Sequence, residues 1–119
     1  MELDVNIREF PVGLGVLRFD PADPNLFARF EQLPRRLSEL EAGAELSDLL
    51  RLDRQLKELL GWVLGPGNDL DAVTGGVSLL AADSRGDTLL SAFLQVLEPV
   101  LLAGAEEFAR RERAKHDTL

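Results

Sequence analysis

Cysteine and tyrosine are absent from this chain of 119 residues, and histidine and tryptophan occur once each. Without cysteine there can be no disulfide and no thiolate nucleophile or metal ligand, a composition that suits a reducing cytoplasm. The single histidine, His116, falls in the polar C-terminal stretch, so the usual nucleophile–base pairs are missing. Basic residues are also in the minority, 13 Lys and Arg against 21 Asp and Glu, for a net charge of -8. That balance argues against nucleic acid as a partner, because phosphate binding needs clustered cations. Arg35–Arg36 and Arg110–Arg111–Arg113–Lys115 are local exceptions, but they sit on predicted helices among carboxylates and read as solvated faces. The opening MELDVNIREF lacks a signal-peptide core, and no apolar run approaches the ~20 residues that cross a bilayer. The expectation is a cytoplasmic, non-enzymatic protein with no cofactor, no metal, no nucleic acid and no membrane.

What is present is ordinary for a folded domain: 45% hydrophobic and 29% charged residues. The chain reads as one α+β domain, mainly helical, with a hairpin over 1–19, a helical core over 24–112 and a polar tail over 113–119. Leu3, Val5 and Ile7 alternate with polar residues as a half-buried strand does. Val12, Leu14 and Val16 resume the alternation, so two antiparallel strands joined around Glu9–Gly13 are expected. A lone hairpin is marginal in water, so its apolar face must lie on helices or its edge must join another sheet.

Three principal helices follow. Asp23-Pro24 supplies a cap and a proline at the first helical position, opening a helix that ends at Gly43. Leu26, Phe30, Leu33, Leu37 and Leu40 recur at steps of four and three, a narrow seam that asks for one helical partner. Pro34 leaves that seam in phase, so a kink is expected there. The second helix spans about 46–64, with Leu49, Leu52, Leu56, Leu59 and Val63 in one stripe and Leu46, Leu50 and Leu60 widening it. Asp53 lies beside this stripe, close enough to Arg54 and Lys57 to be neutralised. Trp62 lies just off it, either as a half-buried packing residue or as a partner anchor. The third helix runs from an Asp87 cap to about Arg111 and is apolar nearly all round in its first half. Such a helix is expected to be central, wrapped by neighbours and bent at Pro99. Between the last two helices, Asn68 could cap one helical turn, and Val77–Ala82 reads equally as strand or helical turn.

Asp69, Asp71, Asp83 and Asp87 crowd the connecting loops, but the central glycine and closing glutamate of a calcium loop do not fall in place. Capping and turn roles are expected of them. What remains is association: apolar helix surface that either closes internally or continues into a homo-oligomeric or client interface. Leu26, Phe30, Leu33, Leu37 and Trp62 are the candidate partner-binding residues.

The run Phe19-Asp20-Pro21-Ala22-Asp23-Pro24, opening a helix with Phe27, Arg29 and Phe30, resembles small tail-region proteins of long-tailed phages. The second half continues the resemblance: Leu60-Gly61 to a glycine turn at Gly67, then Gly75-Gly76-Val77-Ser78-Leu79-Leu80. A polar turn at Ser84–Gly86 and a helix with Leu90, Phe93, Leu97, Pro99 and Val100 complete it. The resemblance implies a tail assembly chaperone, a non-enzymatic helical protein that keeps a long tape-measure-type partner soluble in the host cytoplasm. It brings no set of functional residues. The alternatives are a structural tail component assembling through the hairpin, or a small cytoplasmic helical interaction or oligomerisation module.

Overall fold

The computed structural model describes Leu3 and residues 5–117. It is a mainly helical α+β fold: an antiparallel hairpin of β1 (Arg8–Val12) and β2 (Gly15–Phe19), then α1 (Pro24–Glu31), α2 (Leu33–Ser38), α3 (Leu46–Leu64), the short α4 (Leu70–Thr74) and α5 (Leu89–Asp117). The hairpin turn is Gly13-Leu14, with Val12 facing Gly15 and Arg8 facing Phe19. Gly13 has φ 56°, the glycine-first geometry that matches strand twist in two-residue hairpins. The expected strand through Leu3, Val5 and Ile7 does not form. Those three side chains are exposed and precede β1, while Asp4 of the same alternation lies outside the described residues. Pro11 stands inside β1 rather than ending it, which a two-stranded ribbon tolerates because each strand is an edge.

One face of the ribbon carries Phe10, Leu17 and Phe19, with the Phe10 and Phe19 rings stacked at 4.5 Å. Leu17 and Phe19 join Leu26, Leu33, Leu56, Leu60, Val63, Leu79, Phe93, Leu97 and Leu101 in a single core. Between ribbon and helices the chain turns as expected. The Asp20 side chain accepts from the Ala22 amide, and Asp23 caps α1 by accepting from Asn25 N.

The bend belongs to the first helix, not the last. Pro34 has no amide to give Phe30, and the segment divides into α1 and α2 at Gln32, whose amide reaches the Arg29 carbonyl at 3.1 Å. Helix α2 ends at Ser38, short of Gly43. Helix α5, by contrast, runs without interruption past Pro99. Gln95 and Pro99 are both exposed, so the carbonyl that proline leaves unbonded faces water and requires no bend.

Asp87 does not cap α5. Its backbone pairs with Asp83 instead, and the Thr88 hydroxyl accepts from Ser91 N at 3.1 Å. The Leu89 and Leu90 amides are taken by the Ala81 and Leu79 carbonyls, so 77–82, neither strand nor helix, serves as the backbone cap of α5. Helix α4 is capped by Asp69 rather than Asn68.

The expectation of a wrapped central rod is overturned. Phe93, Leu97, Leu101 and Gly104 form one buried stripe, but Val96 and Leu102 are exposed at 56% and 46%. Gly104 lets the α5 backbone close on the Pro21 carbonyl, leaving no room for a Cβ. Contrary to the reading of the apolar runs, α5 is by length and composition alone long and apolar enough to cross a membrane, with 22% of the qualifying stretch buried. The helix also continues to Asp117, through most of the segment read as a polar tail.

Candidate functional site: exposed apolar helix surface

The proposed helical seam is largely spent inside the chain. Leu26 and Leu33 are core residues at 1% and 3% exposure, so neither is open to a partner. Phe30 and Leu37 are half-buried against the same core. The seam found its helical partner in α3, whose Leu56, Leu60, Val63 and Leu64 are buried opposite. Arg29 Nε donates to the Val63 carbonyl at 3.1 Å and pins α1 to the open end of α3. Trp62 differs from the other four residues. It is 38% exposed, with the Arg36 guanidinium 4.2 Å above its ring centre. Arg36 Nε is buried with no hydrogen-bond partner among the described residues, so the ring face is its main compensation.

What the periodicity missed lies at the other end of α3. Leu46, Leu49 and Leu50 are exposed at 72%, 40% and 58%, because α2 stops at Ser38 and leaves the first turns of α3 uncovered. The signal was present in the breadth of the leucine pattern: a helix with both a main stripe and a second, widening set has more apolar surface than one neighbour can cover.

From Leu50 to Trp62, α3 borders an open groove of about 900 Å³ whose far wall is the loop 65–69 and the start of α4. Its electrostatics are self-contained. Lys57 Nζ lies 3.0 Å from Asp53 and 2.7 Å from Asp71, and Asp53 also accepts from Leu79 N at 2.7 Å. Burial by itself would lower the Lys57 pKa. The hydrogen bonds and charges of Asp71 and Asp53 outweigh it, and the net shift is upward from 10.5. Asp53 is thus neutralised by Lys57, one of the two cations expected, with Asp71 joining from α4. Of the other loop carboxylates, Asp69 caps α4 by accepting from Asp71 N and Ala72 N, and Asp83 holds a turn by accepting from Arg85 N and Asp87 N. Among the described residues no group of three His, Cys, Asp or Glu is placed to hold a metal ion. His116 is exposed near the end of α5.

The hairpin edges are partly occupied. On β2, Arg18 points its amide and carbonyl outward, and both are taken by the Asn68 side chain at 2.6 and 2.9 Å. In β1, Pro11 offers no donor. Leu14 N, at the turn, donates to the Val73 carbonyl at 2.9 Å and ties the ribbon to α4. Compared with known proteins, the chain matches no family model, no curated protein and no solved structure.

Proposed function

We propose that this chain is a non-enzymatic binding protein of the tail assembly chaperone type, holding apolar stripes of a long, tape-measure-type helical partner in a host cytoplasm. The observation that carries the reading is the uncovered start of α3, where Leu46, Leu49 and Leu50 face solvent on a rigid helix. Exposed leucines at steps of three and four are what an amphipathic partner helix packs against. Trp62, held by Arg36 further along α3, supplies an aromatic anchor of the kind that dominates such interfaces. The reading replaces Leu26 and Leu33 with these residues as the contact surface. The rival, a structural component joined through hairpin strand pairing, is less favoured because Asn68 and Pro11 leave few free donors on the ribbon edges.

Co-expression with a long coiled-coil protein of the tape-measure type, followed by co-purification, tests the proposal. Association is expected, and Leu50→Asp should abolish it while the chain stays folded. A partner that remains soluble alone and never co-purifies would overturn it. Mass spectrometry of finished particles separates the rivals, since a chaperone is absent from them.

A further inference from the structure

The groove beside α3 continues the exposed leucine turns, and its charges say what kind of helix fits there. Leu50 belongs to both surfaces, and Trp62, 38% exposed, stands at the far end of the α3 wall. From Leu50 to Trp62 that wall is about 18 Å long, roughly three turns of helix. An open groove of this length admits a helix laid along α3, with its apolar residues on Leu50 and Trp62.

Carboxylates stand on both walls, Asp53 and Glu58 on α3 and Asp69 and Asp71 opposite. Against them the groove sets Arg54 and Lys57. Lys57 is spent within the fold: its side chain is 10% exposed between Asp53 and Asp71, and that triad keeps one negative charge. Among the described residues Glu58 has no ion-pair partner, and Asp69 is held only by the Asp71 and Ala72 amides. Arg54 alone offsets these charges, so four carboxylates face two cations. The furrow between β1 and α5 is lined without any charged side chain, so the acidity is local to the groove. An acidic helix entering it would be repelled from both walls. A neutral one would desolvate the carboxylates and leave them unpaired. Lysines or arginines flanking an apolar stripe would pair with them instead.

We infer that the client segment held on α3 is a basic amphipathic helix, its cations paired with Glu58 on one wall and with Asp69 and Asp71 on the other. That charge preference rests on the client reading of α3 and adds to it the sign of the partner's polar flanks.

Trp62 is the single tryptophan of the chain, so its fluorescence reports on the groove directly. The test titrates the full chain with two synthetic helical peptides sharing one leucine stripe, one with lysine on its polar flanks and the other with glutamate. The lysine peptide should shift Trp62 emission to the blue and saturate, with an affinity that falls as salt rises, and the glutamate peptide should not bind. Glu58→Lys should weaken the lysine peptide by roughly three- to tenfold, and Arg54→Glu should strengthen it. Glu98→Lys, exposed on α5, should leave it unchanged. Equal binding of the two peptides, binding of neither, or a loss as large in Glu98→Lys as in Glu58→Lys overturns the inference. So does spermine shifting the emission as tightly as the lysine peptide, because a small polycation then suffices. A client that co-purifies despite any of these results leaves the chaperone reading standing. A client that fails to co-purify, with the lysine preference intact, counts only against that reading.

Discussion

The Asn68 side chain completes the β-ribbon: its Oδ1 accepts from the Arg18 amide at 2.6 Å and its Nδ2 donates to the Arg18 carbonyl at 2.9 Å. An amide side chain thereby occupies the place of a third strand. The same Nδ2 also donates to the Gly65 carbonyl, so one residue links β2 to the end of α3. Asn68→Ala should destabilise the fold by ~1–3 kcal/mol, since two ribbon groups lose their partner. Asn68→Asp should cost a similar amount, because the carboxylate accepts from Arg18 N but meets its carbonyl with no donor. Urea melts with an unchanged slope would check both.

Gly104 is fixed by the approach of α5 to the Pro21 carbonyl. Gly104→Ala improves helix propensity by ~1 kcal/mol in isolation. Here the methyl group meets backbone, and a net loss of ~1–3 kcal/mol is expected. Thermal denaturation decides between the two signs.

Lys57 gives the fold an alkaline limit. Its folded pKa lies above the ordinary 10.5, so its contribution is complete below the unfolded value and is lost as pH rises through the folded one. Stability should therefore be insensitive to this group at neutral pH and fall above about pH 10.5. Lys57→Met should remove that alkaline component. At neutral pH it should cost ~1–3 kcal/mol, by leaving Asp53 facing Asp71 with no cation between them. Chemical denaturation at several pH values reads both effects.

Neighbouring positions on α5 should respond in opposite ways. Leu97 is 3% exposed, and Leu97→Asp should unfold the chain, because a carboxylate there has no partner and no water. A folded variant with an unshifted melt would refute the buried stripe. Pro99→Ala should instead raise stability, by up to ~3 kcal/mol, since the helix already passes through this position unbroken.

Arg111 pairs with Glu107 one turn earlier at 2.5 Å on an exposed surface. Arg111→Ala should change stability by no more than ~0.5 kcal/mol, within the range of exposed helix pairs. A larger loss in a melt would point to a contact beyond that pair.

The sequence by itself determined the local decisions. Asp23-Pro24 opens α1 and Gly65 closes α3, because capping and turn conformations involve residues adjacent in the chain. The apolar stripes were legible only in part: Leu56, Val63, Phe93 and Leu97 face inward as expected, whereas Leu60, read as widening its stripe, is buried at 1% exposure and Leu49 of the main stripe is 40% exposed. Tertiary structure alone decided which parts of those stripes are covered. Leu26 and Leu46 look alike in sequence, yet one is buried against its own chain and the other left open, because α2 ends before it can reach the start of α3. The link between Asn68 and Arg18 spans 50 residues, and the one between Asp53 and Leu79 spans 26. Such bonds depend on how helices pack after each has formed, and no periodicity records them. For α5, apolar nearly all round, the sequence offered several possible inner faces. The Pro21 carbonyl against Gly104 and the ribbon against Phe93 and Leu97 select one of them and leave Val96 exposed.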